Sequence, residues 1–414
     1  MHRHKEFYVT ITLNNFTASS CPVCHYTLAS PFFDGGKQPL ATLGWPDTSA
    51  EAMAMPHHAL DYVQCPRCTH IWNRSFSYES IPYANNPNRM FNNGAIWQGH
   101  LSKTRDLLLS QLPNKPTIID IGCGEGHFVR GLSQVLQVQG RFLGFDPNTS
   151  SESGVGVEFY PRYFAPFTDI TKYSPDLLIM RHVLEHLLDP ASFIDQLAWG
   201  AAQINKPVRL FAEMPCIDRV LQSNRLVDFF YEHPSQFTTK SFATLMEQGG
   251  KILDLSHGYD GEVIYALIEL KVPSQYQQHA IESNEFYKQA VVSQANIKNQ
   301  LHDLIAAGKK VGIWGGTGKA AAFMHYFDVD ATNFPLVIDS DLDKVGTFVS
   351  KTGQQIQYRN VLKNQQVDIL IIPPQWRAKD ILAEMEREGI KVESVLIEHD
   401  GKLIDFSNQN HPYV

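Results

Sequence analysis

The stretch that most constrains the fold of this chain runs from Thr117 to Arg130 and reads TIIDIGCGEGHFVR. Its first half contains three isoleucines, typical of a buried strand; glycines follow at positions 122, 124 and 126, and then a sequence able to start a helix. Glycine lets the backbone turn sharply and come close to a ligand. The stretch therefore predicts a strand, a tight turn and a helix N-terminus beside a bound molecule.

A second apolar segment, RFLGFDPN, ends near Asp146, which lies 22 residues after Gly124. A carboxylate at the end of the second strand of a βαβ unit is placed to accept hydrogen bonds from both hydroxyls of a ribose. We therefore predict a ligand that contains a nucleoside. The alternative is a structural turn of the kind found in any α/β domain.

The residue before the glycines separates these alternatives. Asp120 completes the pattern D-x-G-x-G-x-G, which a strand-terminal acid then follows. This pattern resembles motif I of class I S-adenosylmethionine methyltransferases and differs from the G-x-G-x-x-G of NAD-dependent enzymes. The resemblance implies that Asp120, Gly122, Gly124 and Asp146 bind S-adenosylmethionine.

Two further residues are candidate cofactor contacts. The segment EFYPRYFAPF is rich in aromatic residues, and its Phe164 could lie against an adenine ring. A buried strand is predicted at Leu177–Met180, with His182 close behind it. Ligands of doubly wound sheets bind outside the carboxyl ends of the strands, so we expect His182 to face the cofactor cleft. The alternatives are core packing for Phe164 and a packed or capping role for His182.

Four of the six cysteines form two C-x-x-C pairs, Cys21 with Cys24 and Cys65 with Cys68, with 40 residues between the pairs. Two such pairs supply the four thiolates of a tetrahedral zinc site. Disulfides are not expected because we recognise no secretory signal, and a redox C-x-x-C would not be expected twice. Four cysteine ligands leave no coordination position for a substrate, so we predict a structural zinc ion.

The composition excludes some classes of partner. Of the 414 residues, 43% are hydrophobic and 19% charged, as in ordinary globular proteins. A formal net charge of -8 without a basic stripe argues against nucleic-acid binding, which needs clustered Lys and Arg. No window approaches the roughly 18 apolar residues of a membrane span. We expect a cytoplasmic protein that acts on a small molecule, with neither a nucleic-acid nor a membrane partner.

A second nucleotide-binding type of pattern begins near residue 307. The segment KKVGIWGGTGKAAAF again predicts a strand, a glycine-rich turn and a helix, and further strands are predicted at Leu336–Asp341, Val367–Pro374 and VESVLIE. A Walker A phosphate loop is excluded, because Ile313 stands where a glycine is required and Ala320 where Ser or Thr is required.

These patterns predict an α/β protein with a central class I methyltransferase domain of Rossmann-like fold. A four-cysteine zinc module precedes this domain and a second Rossmann-like α/β domain follows it. The predicted boundaries are 1–77 for the zinc module, 78–273 for the methyltransferase domain, 274–306 for a linker helix and 307–414 for a substrate-binding domain.

Two segments carry candidate residues for the methyl acceptor. Tyr83 lies in a stretch rich in Asn and Pro and could cover a ligand, although a plain loop is the alternative. The run FYEH at residues 230–233 places a phenol, a carboxylate and an imidazole in succession. The proline that follows disfavours helix at His233, so neighbouring side chains can point into one cleft. The alternative for this run is a solvated loop.

The chain as a whole resembles the three-domain sugar C-methyltransferases, which use S-adenosylmethionine to methylate carbon 3 of dTDP-4-keto-deoxysugars. The segments that carry the resemblance are PHHALDYVQCPRC, DIGCGEG, VLEHLLDP, FYEH and the G-x-D-G-E-V of residues 258–263. The resemblance implies that the C-terminal domain helps to hold the nucleotide end of the substrate. Gly315, Gly316 and Lys319 of its glycine-rich turn would make this contact.

The chain departs from this family within the FYEH run. The family usually reads Tyr-x-Glu-His, with all three side chains near the reacting carbon, whereas here Phe230 occupies the tyrosine position and a tyrosine stands at 231. Phenylalanine cannot donate a hydrogen bond. Either Tyr231 substitutes for the family tyrosine, or the substrate differs from the usual keto-sugar.

Methylation of carbon needs a carbon nucleophile, which a ketone supplies when a base removes the proton from the adjacent carbon. Histidine has a suitable pKa for such a base, and we predict that His233 takes this proton. Glu232 would orient or charge-stabilise His233, and His186 would donate a hydrogen bond to the developing enolate oxygen. Tyr231 completes the predicted catalytic set.

The sequence also allows two other functions. One is an O- or N-methyltransferase that acts on another small metabolite and removes no proton from carbon. The other is a cofactor-binding protein that has lost catalysis through the change to Phe230.

Overall fold

The computed structural model describes residues 16–43, 45–81, 92–137, 139–149, 152–154 and 156–413. The chain divides into two compact units, residues 1–273 and 274–414. Tyr83, a predicted substrate contact, lies outside the described residues.

The first unit contains two sheets with helices between and around their strands. Its elements in chain order are β1 (Thr17–Ala18), β2 (Leu28–Gln38), α1 (Ser49–Ala54), β3 (His58–Gln64), β4 (Ile71–Asn73), α2 (Ala95–Leu109), β5 (Thr117–Ile121), α3 (His127–Val135), β6 (Arg141–Phe145), β7 (Val157–Tyr160), α4 (Pro166–Tyr173), β8 (Leu177–Arg181), α5 (Pro190–Ala201), β9 (Arg209–Pro215), α6 (Asp218–Ser223), β10 (Ser235–Gln236), α7 (Thr239–Gly249), β11 (Gly250–Gly258) and β12 (Val263–Leu270). Short 3-10 helices lie at Tyr78–Ser80, Leu184–His186 and Tyr259–Gly261.

The larger sheet has the strand order β11-β12-β9-β8-β5-β6-β7, and β12 runs against the direction of the others. Its inner strands are continuous apolar runs, such as the buried Leu177–Met180 of β8, because helices cover both faces of a parallel sheet. The register places Ile121 beside Phe145 and Met180. The carboxyl ends of β5, β6 and β8 therefore meet at one edge, and the predicted Rossmann-like methyltransferase fold is confirmed.

The smaller sheet is antiparallel, with the order β1-β2-β3-β4-β10. Its last strand, β10, comes from a distant part of the chain and pairs through Ser235 with Trp72 of β4. The Phe229 ring packs against the rings of Phe32, Phe33 and Tyr62 with centroids 5.2 to 5.8 Å apart. The segment around residues 229–236 is thus built into the sheet of the N-terminal module.

The second unit has one six-stranded sheet. Its elements are α8 (Ser274–Ala306), β13 (Val311–Trp314), α9 (Lys319–Tyr326), β14 (Leu336–Asp339), β15 (Ile356–Tyr358), β16 (Ile369–Ile371), α10 (Ala378–Glu388), β17 (Ser394–His399) and β18 (Lys402–Asp405), with 3-10 helices at Arg359–Lys363 and Gln375–Arg377. The strand order is β15-β14-β13-β16-β17-β18, parallel except for the last pair. Ile297 and Leu301 of α8 pack into the core of this unit. The predicted C-terminal α/β domain is confirmed. Within the described ranges, no helix is both long and apolar enough to cross a membrane.

Candidate active site

The glycine-rich turn after β5 is packed tightly against two neighbouring segments. Gly122 and Gly126 adopt φ values of 71° and 76°, in the left-handed region that favours glycine. A Cβ atom at Gly122 would overlap the Val183 side chain, and one at Gly126 would overlap the Phe159 ring. The turn therefore requires glycine both for its conformation and for space, and it lies directly against the segment that follows β8.

Asp146 closes the turn from the end of β6. Its Oδ2 accepts a hydrogen bond from the Gly124 amide at 3.1 Å, and its Oδ1 accepts one from the Asn148 amide at 2.8 Å. A carboxylate oxygen has more than one lone pair, so these oxygens can also accept from ribose hydroxyls. The structure thus brings the predicted residues Gly124 and Asp146 together at the edge where a nucleoside is expected.

Asp120 lies in β5 between Gly144 and Ile179 of the neighbouring strands. Burial raises its pKa to about 7, although the Arg181 charge opposes the rise and the Asp146 charge adds to it. The carboxyl group therefore holds a proton more readily than an exposed aspartate does. Its direct contact with a cofactor stays a prediction.

The two other predicted cofactor contacts differ in their surroundings. Phe164 is 7% exposed and packs edge-to-face on Phe145 with centroids 5.2 Å apart, which favours core packing over the predicted adenine contact. His182 follows β8 with a φ of 55°, and its amide donates to the Glu213 carbonyl at 2.8 Å. His182 therefore lies at the carboxyl end of the sheet, where its contact with a cofactor stays a prediction.

A buried charge network lies beside His182. Glu213 in β9 accepts hydrogen bonds from Arg181 Nε at 2.9 Å and from His100 Nε2 at 2.7 Å. Burial alone would raise the pKa of Glu213, but Arg181 and His100 lower it to about 2. The Trp97 ring lies 5.5 Å from the Arg181 guanidinium. The sequence predictions missed this network, although a glutamate within the apolar run RLFAEMP was a signal for it.

A cavity of about 500 Å³ opens beside this network, between α2 and the turn that joins β11 to β12. Its lining includes His100, Lys103, His257, Tyr259 and Tyr265. His100 therefore forms a hydrogen bond with the buried Glu213 and also lines the cavity. The cavity is large enough for part of a small ligand.

The side chains of His186 and His233 meet just beyond the carboxyl end of β8. His186 ends the 3-10 helix after β8, and its Nδ1 donates to the Glu232 carbonyl at 2.8 Å, since a carbonyl can only accept. The two imidazole rings meet edge-to-face with centroids 4.7 Å apart. Burial, together with the positive charge of a protonated His186, lowers the pKa of His233, and the negative charge of Glu185 opposes the fall. The His233 imidazole is therefore neutral and able to accept a proton.

The short segment of residues 183–186 connects this histidine pair to the glycine-rich turn of residues 122–126, which we call the cofactor turn for its predicted role. Val183 contacts Gly122, and His186 follows three residues later. On the other side of the segment, the Tyr78 hydroxyl donates to the His186 carbonyl at 2.8 Å and accepts from the Leu188 amide at 3.0 Å. Tyr78 was not among the predicted site residues. Its position at the start of a stretch rich in Asn, Pro and aromatic residues was a weak signal for these two hydrogen bonds.

Glu232 has its partners in the N-terminal module. The residue is fully buried, and its carboxylate oxygens accept three hydrogen bonds, of 2.7 to 3.1 Å, from the backbone amides of residues 41–43. The prediction that Glu232 orients His233 is therefore corrected: the carboxylate binds a loop of the module, and it is the Glu232 carbonyl that contacts His186.

Tyr231 is also engaged away from the histidine pair. Its hydroxyl accepts from the Ser77 amide at 2.9 Å, and its ring stacks on His58 with centroids 4.5 Å apart. The side chain beside His233 is instead Phe230, at a centroid distance of 4.1 Å. The place of Tyr231 in the predicted catalytic set is therefore corrected. Of the two alternatives for the missing family tyrosine, this geometry does not support substitution by Tyr231, because the apolar Phe230 faces the histidine.

The four predicted zinc ligands lie together. The Sγ atoms are 3.5 Å apart for Cys21 and Cys68 and 3.5 Å apart for Cys24 and Cys65, and all four lie within 4.8 Å of one another. A zinc ion with Zn–S distances of about 2.3 Å places its tetrahedral ligands about 3.8 Å apart. The cysteines are free of disulfides. Their donor set and spacing therefore fit a zinc ion.

The glycine-rich turn of the second unit is partly structural. The Gly315 amide donates to the Ile338 carbonyl at 2.6 Å, and a Cβ atom at Gly316 would overlap Ile356. Gly316 is therefore needed for close packing, which does not require the predicted nucleotide contact. Lys319 begins α9, and its ammonium lies 5.9 Å from the centre of the Trp376 ring.

A cavity of about 250 Å³ lies beside Lys319. Its lining also includes Tyr326, Pro373, Gln375 and Glu398. β13 pairs with β14 on one side and with β16 on the other, so the strand order reverses at this point. Open parallel sheets bind ligands where the order reverses, outside the carboxyl ends of the strands. The cavity therefore occupies the usual ligand position of such a sheet.

Two family models match the chain. Residues 96–250 match a methyltransferase domain, and residues 273–397 match a C-methyltransferase C-terminal domain. The chain is an S-adenosylmethionine-dependent methyltransferase. The predicted enzyme class is thereby confirmed.

The methyltransferase also resembles individual proteins. C-methyltransferase NovU of Streptomyces niveus is 26% identical over 337 residues, which cover 73% of this chain and 77% of that protein. Among solved structures, plantazolicin methyltransferase BpumL in complex with SAH has 13% identity, a TM-score of 0.33, and coverage of 42% of this chain and 84% of its own. Human N-acetylserotonin methyltransferase in complex with SAM has 14% identity, a TM-score of 0.32, and coverage of 42% and 54% respectively.

Proposed function

We propose that the methyltransferase acts on carbon 3 of a nucleotide-linked 4-keto-deoxysugar. The observation that carries this proposal is the meeting of His186 and His233 at the edge of the first unit that holds the cofactor turn. A carbon acceptor needs a base for the carbon-bound proton and a polar group for the enolate oxygen, and two adjacent imidazoles can supply both. The similarity to NovU and the C-terminal family match support carbon as the acceptor.

In the proposed reaction, His233 removes the proton from carbon 3, and the electrons of the broken C–H bond form an enolate with the 4-keto oxygen. The base must start unprotonated, and the lowered pKa of His233 keeps its imidazole neutral before the step. Bound S-adenosylmethionine would supply an electrophilic methyl group to the carbon. The apolar Phe230 beside His233 helps to exclude water from this step.

The hydrogen bond of His186 refines its predicted role. Because Nδ1 carries the hydrogen that is donated to the Glu232 carbonyl, Nε2 of the neutral ring is an acceptor. His186 can therefore donate to an enolate oxygen through Nε2 only in its protonated form.

We propose that the second unit holds the nucleotide end of the substrate. Its cavity is at the reversal point of the strand order, as in other nucleotide-binding sheets. Lys319 supplies a positive charge for a phosphate group, and the 61%-exposed Trp376 offers a face on which a base can stack. Gly315 shapes the turn that presents Lys319.

We also propose a structural zinc ion bound by Cys21, Cys24, Cys65 and Cys68. The sulfur spacing supports this assignment, and a site with four cysteine ligands adds folding free energy without taking part in the chemistry. The proposed organisation remains a zinc module at 1–77, a methyltransferase domain at 78–273, a linker helix at 274–306 and a substrate-binding domain at 307–414, with β10 of the methyltransferase domain completing the sheet of the module.

An exchange experiment tests the acceptor chemistry. A dTDP-4-keto-deoxysugar with deuterium at carbon 3 is incubated with the protein and S-adenosylhomocysteine, and mass spectrometry follows loss of deuterium to the buffer. We expect loss with the wild type and retention with His233→Ala. Retention by the wild type, with methyl transfer to oxygen or nitrogen, would identify an O- or N-methyltransferase. Ligand-induced stabilisation without any methyl transfer would identify a binding protein.

A further inference from the structure

Glu185 is a buried carboxylate at the centre of the 3-10 helix Leu184–His186. It is 3% exposed, and neither of its oxygens makes a hydrogen bond within the part of the chain that the structure describes. A buried carboxylate is unfavourable unless a positive group compensates it. We therefore expect a positively charged or protonatable side chain close to the Glu185 carboxylate.

Three imidazoles face the Glu185 carboxylate. The His182 Nδ1 lies 3.3 Å from Oε1, and a ring nitrogen of both His186 and His233 lies within 4.8 Å of a Glu185 oxygen and of each other. Burial alone would raise the pKa of Glu185, but the interaction with His182 and the charges of the three histidines lower it overall. The carboxylate is therefore ionised and faces a cluster that can hold a proton.

The other polar groups around this cluster have partners of their own. Glu213, which lies 3.7 Å from the His182 Nε2, is paired with Arg181 at 2.8 Å and with His100 at 2.7 Å. The Tyr78 hydroxyl is engaged with the backbone on either side of Leu187. The negative charge of Glu185 is thus directed at the histidines.

We propose that Glu185 is the positioning residue of the acceptor site, whose negative charge stabilises His233 in its protonated form after His233 has taken the proton from carbon. This inference rests on the proposed function of His233 as the base. Before the step, His233 is neutral; after it, a half-buried imidazolium and the buried Glu185 carboxylate form a compensated pair. A buried Asp does the same for the histidine of a serine-protease triad. Glu232, the carboxylate next to His233 in sequence, is already bound to residues 41–43.

A titration in the absence of any acceptor tests this proposal. NMR of the full chain with labelled histidines, saturated with S-adenosylhomocysteine, gives the pKa of His233, and the spectrum of His233→Ala identifies its signal. A carboxylate within about 4–6 Å raises a histidine pKa by about one unit or more, so we expect Glu185→Gln to lower it by at least that amount. Glu185→Asp keeps the charge and should retain most of the wild-type value. An unchanged pKa in Glu185→Gln would overturn the proposal.

A kinetic measurement follows once a nucleotide sugar is turned over. Because a general base contributes about 10²- to 10⁴-fold, we expect Glu185→Gln to reduce kcat by about 10²-fold, with little change in KM. The ascending limb of the pH–rate profile should move to lower pH, because loss of the carboxylate lowers the pKa of the base. Glu232→Gln is the matched control, since its carboxylate contacts backbone amides, and its ascending limb should keep the wild-type position. A limb that moves equally in both variants would contradict the assignment.

The titration and the kinetics separate failure of the two proposals. The His233 pKa is measured without an acceptor, so a wrong substrate class leaves that result intact. The same three side chains, Glu185, His186 and His233, are also close enough to hold a divalent cation. A metal ion that the wild type binds in addition to the proposed cysteine-bound zinc, and that atomic spectroscopy does not find in Glu185→Gln, would assign the carboxylate to a metal and overturn the proposed role.

Discussion

The turn that we propose to bind the cofactor (the cofactor turn) and the loop that we propose to bind the acceptor (the acceptor loop) are built in opposite ways. The turn at residues 122–126 comes from one contiguous stretch and is closed by Asp146, 22 residues after Gly124. The acceptor loop at residues 229–236 is held by residues far away in the chain. The Tyr62 hydroxyl lies 2.9 Å from the Phe230 carbonyl and 3.2 Å from the His233 carbonyl, and β10 pairs with β4.

Because of this difference, binding of the cofactor and reaction at the acceptor should depend on different parts of the chain. The conformation of the turn depends on glycines and on the strand before it, so cofactor binding should respond to local changes. The position of His233 depends on Tyr62 and on the loop at residues 41–43, which lies about 190 positions earlier. Substitutions in the N-terminal module should therefore reduce methyl transfer more than they weaken cofactor binding.

The largest expected effect comes from His233→Ala. Removal of the base should lower kcat by about 10²- to 10⁴-fold, while the affinity for S-adenosylmethionine stays within a factor of about three by calorimetry. His302→Ala, at an exposed position of α8, is the control. Turnover at the wild-type rate in His233→Ala would sink the assignment of the base.

The second effect comes from loss of the predicted zinc. Cys65→Ser removes one of the four clustered thiols, which lies between β3 and β4. We expect turnover to fall by about 10- to 100-fold, because these two strands hold the loop of His233 through Tyr62 and the pairing with β10. Zinc content measured by atomic spectroscopy should fall in parallel. Affinity for S-adenosylmethionine should change far less. An equal loss of cofactor affinity would erase the distinction between the two regions.

The third effect concerns the turn itself. A non-glycine residue in the left-handed region costs about 1–2 kcal/mol, and a Cβ atom at Gly122 would also overlap Val183. We expect Gly122→Ala to weaken S-adenosylmethionine binding about tenfold or more, as measured by calorimetry. Gly308→Ala, in the second unit, is the matched control, because its φ of 68° is also left-handed and its Cβ would meet no atom within 4 Å. An equal loss of affinity in Gly308→Ala would contradict the packing argument.

The smallest effect is on stability. Glu232→Gln replaces a carboxylate that accepts three amide hydrogen bonds by a carboxamide, which should cost about 1–3 kcal/mol. For a unit of this size, we expect a lower Tm by about 2–4 °C for each kcal/mol. Glu247→Gln, at an exposed position of α7, should leave the Tm unchanged. A wild-type Tm in Glu232→Gln would show that this carboxylate does not anchor the module.

Features encoded by short contiguous patterns could be predicted from the sequence. The strand before Gly122, the acid at Asp146 and the two cysteine pairs are local patterns with defined spacing, and the structure brings each set together. Roles that depend on where a side chain points could not be predicted. Glu232 and Tyr231 are neighbours of His233 in sequence, yet their side chains point into the N-terminal module because that module packs around the loop.

The residues missed from the sequence share a physical cause. Glu213 and His100 are buried polar groups that lie on different elements, so no spacing rule relates them. Glu185 lies three residues after His182, but its approach to His233 depends on how the loop at residues 229–236 packs. Their presence in apolar surroundings was visible, as with the glutamate in RLFAEMP, but the partner of each group depends on strand order.

The pairing of β10 with β4 has a consequence for how the chain can be cut. The N-terminal sheet ends on a strand contributed by residues 235–236, so residues 1–77 do not contain all of their own sheet. A fragment that begins at residue 78 would leave the edge of β10 and the aromatic face of Phe229 exposed to water. The module is therefore interleaved with its neighbour rather than appended to it, and exchange between homologues would have to carry both segments together.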